Sequence, residues 1–166
     1  VGNKERIYIS YPNLHEDVEV GNKILIDDGK LEVVVTEITK NGDVKVQVTY
    51  GGLLLPKKGV NLPDTKISLP AMTEKDITDL GFIIEQKVDW VALSFVRQVD
   101  DIIDLKKRLA DANSKSKVIA KIEMPSALHD LRNIILESDG VMVARGDLGV
   151  ELPVEKVPMV QREIIR

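Results

Sequence analysis

WVALSFV (Trp90–Val96), VIAKI (Val118–Ile122) and VMVA (Val141–Ala144) are three apolar runs of strand length, and the segments between them carry a helical period. Ile102, Leu105, Leu109 and Ala112 form one helical face. Leu128, Leu131 and Ile135 form the next, behind Pro125, a residue that suits a helix's first turn. From Trp90 to Val118 is 28 positions and from Val118 to Val141 is 23, which gives room for right-handed β-helix-β crossovers. A parallel sheet flanked by helices follows. Upstream, Thr73 with Asp76 three residues later starts a helix in the manner of a capping box, with Ile77, Leu80, Ile84 and Val88 on one face. A last helical segment follows Pro153.

The N-terminal part reads differently. From Glu5 to about Ser68 the apolar period is two, interrupted by turn signals. The clearest hairpin spans Leu31 to Tyr50: Val33, Val34 and Val35 lead into Lys40-Asn41-Gly42-Asp43, and Val44, Val46 and Val48 then alternate with Lys45, Gln47 and Thr49. Asn-Gly readily takes the positive φ values of a tight turn. Gly21-Asn22, Asp28-Gly29 and Gly51-Gly52 mark further turns, so five or six strands are expected, enough for a small barrel or sandwich. The fold class is therefore α/β with a separate all-β domain, residues 1–68 being β and residues 69–166 β/α.

Composition narrows the partners. In 166 residues, 43% are hydrophobic and 30% charged, the balance of a soluble globular protein rather than a disordered one. With 23 Lys and Arg against 27 Asp and Glu the net charge is -4, so no basic surplus exists to hold nucleic acid or an anionic membrane. The only aromatic residues of the β part are Tyr8, Tyr11 and Tyr50, too few for a base-stacking platform. Absence of cysteine excludes a disulfide framework and thiolate metal sites and fits a reducing, cytoplasmic setting. No apolar run approaches the ~18 residues of a membrane span. The first residue is Val1 rather than Met, and the last stretch, Val160 to Arg166, is helix-like, so a piece of a longer protein is expected.

Parallel sheets gather ligands at the C-terminal ends of their strands. The three exits are Ser94-Phe95-Val96-Arg97, Ala120-Lys121-Ile122-Glu123 and Ala144-Arg145-Gly146-Asp147-Leu148-Gly149, and all three carry charge. Lys121 and Glu123 are two apart on one strand and point to the same side. Two readings of them stand open, a structural ion pair and a working site. Glu123 and Asp147, from neighbouring strand ends, have the chemistry to share a hard divalent ion such as Mg²⁺. Lys121 would then face the anion that such an ion holds, and Gly146 and Gly149 let backbone N–H groups approach a carboxylate or phosphate. By themselves, Asp27-Asp28-Gly29 reads as a turn and Lys57-Lys58-Gly59 as a solvated loop. His15 and His129 have no partners at metal-ligand or triad spacing. No Walker loop, dinucleotide fingerprint or protein-kinase signature is present.

Taken together, several motifs resemble an internal segment of the pyruvate kinase family. They are Ile26-Asp27-Asp28-Gly29, Lys57-Lys58-Gly59-Val60-Asn61-Leu62-Pro63, Leu69-Pro70 with Thr73-Glu74-Lys75-Asp76, Ala92 to Arg97, Ala120 to Glu123, and Asp139 to Glu151. Their order and spacing run as in that family along nearly the whole chain. Met124-Pro125 after Glu123, and Asp64 after Pro63, depart from its usual pattern.

The resemblance implies that residues 1–68 are most of a mobile β-barrel lid and that residues 69–166 are three strands of a (β/α)₈ barrel. It implies phosphoryl transfer from phosphoenolpyruvate to ADP, giving pyruvate and ATP, with Mg²⁺ or Mn²⁺ and K⁺. Lys121 would stabilise the charge of the transferring group, and Glu123 and Asp147 would hold the divalent ion. Gly146 and Asp147 would donate backbone N–H groups to the substrate carboxylate. Phe95 would wall the substrate pocket, Ser94 would lie near the monovalent cation, and Lys58, with Asp28, would meet the nucleotide. A homotetrameric parent is implied, with most K⁺ ligands outside this chain, and the chain alone is expected to be inactive and to associate through unpaired strand edges. Two rivals remain, a Mg²⁺-dependent lyase or aldolase acting on pyruvate enolates and a non-catalytic binding module. The lid-like β half disfavours the first, and metal binding at Glu123 and Asp147 would disfavour the second.

Overall fold

Leu31, Val33 and Val35 are buried on one side of a strand whose alternate residues face outward, and this stripe organises the first of two compact units, residues 1–68 and 69–166. The computed structural model describes every residue except Val1, Lys4, Lys66 and Leu69, so half of the Leu69-Pro70 motif lies outside the described residues. The first unit runs α1 (Leu14–Asp17), β1 (Lys23–Ile26), β2 (Leu31–Ile38), β3 (Val44–Tyr50) and β4 (Val60–Asn61). These four strands make one antiparallel sheet in the order β3-β2-β1-β4. Val18, Ile24, Ile26 and Leu62 complete its core with the β2 stripe.

Four strands stand among the described residues where the sequence predicts five or six. Residues 5–12 carry a strand-like period and residues 51–59 a short apolar run, Leu53 to Leu55, but Pro12, Gly51-Gly52 and Pro56 interrupt them, and both stretches are irregular. The hairpin turn also differs. Its loop is Thr39–Asp43, closed by hydrogen bonds from the Thr39 N–H to the Asp43 carbonyl (2.9 Å) and from the Gly42 N–H to the Thr39 carbonyl (3.0 Å). Only Gly42 is left-handed, at φ 82°. A longer loop needs one positive φ where a two-residue turn needs two. The alternation of Val46 and Val48 does not produce burial either, since β3 is an outer strand with both valines exposed.

The second unit runs α2 (Glu74–Glu85), β5 (Trp90–Leu93), α3 (Val99–Asp111), β6 (Lys117–Ile122), a 3₁₀ turn (Pro125–Asp130), α4 (Leu131–Glu137), β7 (Gly140–Val143), α5 (Arg145–Glu151), a second 3₁₀ turn (Val154–Lys156) and α6 (Val157–Ile165). The sheet is parallel with order β5-β6-β7, Leu93 opposite Ala120 and Ile122 opposite Val143. Val91, Leu93, Val118, Ala120 and Ile122 point into a core shared with Leu80, Ile102, Leu105, Leu109, Leu131, Ile134 and Ile164. The other side of the sheet is barely covered. Trp90 is 46% exposed and Met142 45%, with the Lys117 ammonium 5.2 Å from the centroid of the indole ring.

Both helix starts before the site are capped as their sequences dictate. Thr73 and Asp76 exchange side-chain and backbone hydrogen bonds at the head of α2, and at the head of α3 the Asp101 carboxylate accepts the Gln98 N–H at 3.2 Å. The apolar run from Trp90 to Val96 is shorter as a strand than as a pattern. It stops at Leu93, because Phe95 takes a left-handed conformation, φ 57°, that no strand accommodates.

Candidate functional site

Period two along β6 sends Lys121 away from the helix-packed core, and Glu123, just past the strand, follows on the same side. The two form an ion pair. Glu123 is 3% exposed, so its charge needs compensation on the spot. Lys121 supplies part of that, and the backbone N–H of Phe95 donates to Glu123 Oε2 at 3.1 Å. Ser94, adjacent to Phe95, accepts a 2.7 Å hydrogen bond from the Lys121 ammonium through its Oγ. Two successive residues at the exit of β5 thus hold the two members of the pair on β6.

The pair has spare capacity. The Lys121 side chain is 26% exposed, and among the described residues its ammonium donates one hydrogen bond, to Ser94 Oγ, besides its ion pair with Glu123. Glu123 Oε1 lies against the ammonium, yet among the described residues it accepts no hydrogen bond of proper geometry. A buried carboxylate oxygen with free lone pairs beside an open cation can hold a hard cation on one side and an anionic oxygen on the other.

Asp147 comes from the third strand exit. The Ala144 N–H donates to the Ile122 carbonyl at 3.1 Å, which carries the β6–β7 ladder one step past the strand and starts α5 beside Glu123. Asp147 lies in the first turn of that helix with its carboxylate exposed, and Gly146 precedes it with open space where a Cβ would stand. Among the described residues no three His, Cys, Asp or Glu side chains gather as a metal-binding group. A cation held here by protein atoms would rest on two carboxylates and complete its shell with other oxygens, which is the habit of Mg²⁺. The oxygen-only donor set fits that ion.

Of the residues singled out from the sequence, the fold brings Ser94, Phe95, Lys121 and Glu123 into direct contact and sets Gly146 and Asp147 at the neighbouring strand end. Lys58 and Asp28 belong to the first unit. There Lys58 pairs with Asp27 at 3.0 Å, not with the exposed Asp28. Asp27 also meets Lys30 at 3.3 Å, and Lys58, opposed by partial burial and reinforced by Lys30, holds its carboxyl below the usual carboxylate range. Asp27 is the residue that sequence reasoning passes over. Its signal lies in the pairing of Ile26 with Val60, which sets Asp27 opposite Gly59, one step from Lys58. The two departures from the family pattern serve structure: Asp64 accepts the Lys23 N–H at 3.3 Å, and buried Met124 leads into the 3₁₀ turn that Pro125 opens.

The family model for the pyruvate kinase barrel domain matches residues 1–166. A pyruvate kinase of Staphylococcus saprophyticus is 48% identical over 167 residues, covering 99% of this chain and 28% of the relative. Pyruvate kinases of Staphylococcus epidermidis and Staphylococcus aureus are each 45% identical over 166 residues with the same coverage. The chain thus spans 28% of the length of these curated relatives.

Proposed function

The chain belongs to the pyruvate kinase family, and from that premise we propose that the protein carrying it moves the phosphoryl group of phosphoenolpyruvate to ADP, giving pyruvate and ATP. The carrying observation is the Lys121–Glu123 pair held by Ser94 and Phe95 at the strand exits. Phosphoryl transfer asks little covalent work of a protein and much positioning and neutralisation of oxygen charge. Lys121 answers that need, its ammonium meeting the transferring group and the enolate oxygen as charge develops there.

Glu123 and Asp147 are the residues that would hold Mg²⁺ or Mn²⁺, which when bound supplies charge neutralisation to the substrate oxygens. Gly146 and Asp147 offer backbone N–H groups to the substrate carboxylate. Phe95 walls the pocket with its ring, and Ser94 keeps the Lys121 ammonium in place beside the region assigned to K⁺. Lys58, steadied by Asp27, and Asp28 are the proposed nucleotide contacts. Within this reading the first unit is most of a β-barrel lid, the second is three strands of a (β/α)₈ barrel, and the whole protein is a homotetramer.

The test is a coupled assay of the complete protein with phosphoenolpyruvate and ADP. Lys121→Met is expected to lower kcat by about two orders of magnitude or more, the scale on which preorganised charge contributes, while the far-ultraviolet circular dichroism stays that of the wild type. Near-normal turnover of Lys121→Met would sink the role given to Lys121.

A further inference from the structure

Among the described residues, six other than glycine have positive φ: Asp27, Asp28, Lys57, Lys87, Phe95 and Asn113. Lys87 and Asn113 lie just past the ends of α2 and α3, where a left-handed residue commonly ends a helix. Asp27 and Asp28 are of a type whose short polar side chain tolerates that region. Lys57 lies in a turn between strands; Phe95, just after a strand of the parallel sheet, has none of these explanations. Phe95 is 56% exposed, so burial of the side chain does not hold the backbone there.

The conformation has one evident product, the hydrogen bond from the Phe95 N–H to Glu123 Oε2. Resting on the reading of Glu123 as a metal ligand, we infer that Phe95 is a positioning residue whose left-handed backbone aims this N–H at Glu123, fixing which carboxylate oxygen is tied down and which is left for the cation.

Strained backbone persists only where its surroundings over-determine it, and such strain gathers at functional sites. The segment after Phe95 meets that condition. Val96 is fully buried. The Arg97 N–H donates to Asp101 Oδ2 at 2.8 Å, the Gln98 N–H to the same oxygen at 3.2 Å, and the Val99 N–H to Asp130 Oδ2 at 2.7 Å. With the next turns pinned by carboxylates and Leu93 locked in the sheet, the chain reverses at Ser94-Phe95, and the amide of Phe95 points at β6. An extended Phe95 would continue the strand and withdraw the donor. Glu123 would then be free to turn both oxygens toward Lys121, and the lone pairs of Oε1 would no longer be held in one direction.

The experiment separates backbone from ring in the complete protein. Phe95→Gly and Phe95→Asn lose the ring but accept positive φ; Phe95→Val is β-branched and rejects it. Mn²⁺ affinity is read by electron paramagnetic resonance without substrate. Phe95→Val is expected to weaken Mn²⁺ binding by about tenfold or more, as loss of a partner to a ligating carboxylate does, while Phe95→Gly and Phe95→Asn stay within about threefold of wild type. Wild-type affinity in Phe95→Val, or a loss in Phe95→Gly as large as that in Phe95→Val, overturns the inference. Hydrogen exchange at the Phe95 amide in metal-free protein tests the contact by itself. Glu123→Ala must accelerate it; unchanged protection overturns the inference even if Phe95→Val does not fold. Glu123→Gln leaving Mn²⁺ affinity untouched would instead remove the metal reading, an outcome distinct from loss of the Phe95 contact.

Discussion

Glu123 places a carboxylate where water scarcely reaches, and the asymmetry between it and Lys121 makes a stability prediction. Removing Lys121 leaves a buried charge supported, among the described residues, by the Phe95 N–H alone, whereas removing the charge of Glu123 leaves a lysine side chain that is 26% exposed and free to hydrate. Lys121→Met is therefore expected to cost about 2 kcal/mol, below the value for a fully buried pair because of that exposure, and Glu123→Gln less. Lys121→Met with Glu123→Gln together should recover part of the loss, since no unpaired charge remains. Urea unfolding of the complete protein measures all three, and a double variant as unstable as Lys121→Met alone would show that charge burial is not what the pair manages. The pairing itself was legible from spacing, because period two sets residues 121 and 123 on one side. The contribution of Phe95 was not, since an aromatic residue gives no hint that it will turn left-handed. Neither was the choice of Asp27 over Asp28 as the partner of Lys58, which depends on the β1–β4 register rather than on any local pattern.

Among the elements, α2 shows most directly how a local signal becomes structure. Asp76 Oδ2 accepts the Thr73 N–H at 2.8 Å, and Thr73 Oγ1 accepts the Asp76 N–H at 3.2 Å. Hydrogen bonds from the Thr73 side chain and backbone hold the Asp76 carboxyl below its ordinary range. A carboxyl whose folded pKa is depressed adds stability above the unfolded aspartate range and loses it as pH falls through the folded value. Thr73→Ala is thus expected to cost about 1 kcal/mol at neutral pH. The Tm gap between wild type and Asp76→Asn should be constant at neutral pH and close on acidification below the ordinary aspartate range; a gap that persists in acid would show that the carboxylate charge plays no part in the cap. The parallel order β5-β6-β7 was equally legible, because strands 28 and 23 positions apart with helical faces between them admit few other arrangements. The β half was less so. Val46 and Val48 alternate as a buried face would, yet β3 lies at the sheet's outer edge, and pattern alone does not tell an inner strand from an outer one.

For the molecule as a whole, the second unit's sheet has a dressed side and a bare one. Helices cover Val91, Val118 and Ile122, while Trp90, Ala92 and Met142 stay exposed on the opposite side, and β5 and β7 have no outer partners among the described residues. Exposed strand edges invite pairing with further strands. Since the chain spans 28% of its curated relatives, the natural cover for that side is proposed to lie in the rest of the full-length protein. The 166-residue chain produced alone is therefore expected to show no turnover of phosphoenolpyruvate with ADP and to associate as its concentration rises. Its average mass by light scattering should climb well above that of one chain, and Trp90 should shift toward shorter emission wavelengths as copies cover it. A single-chain mass maintained from low to high concentration, with Trp90 emission unchanged, would mean that the bare side tolerates water. Paired edges would then not be what the remainder of the protein supplies, and incomplete catalytic machinery would have to account alone for any loss of activity.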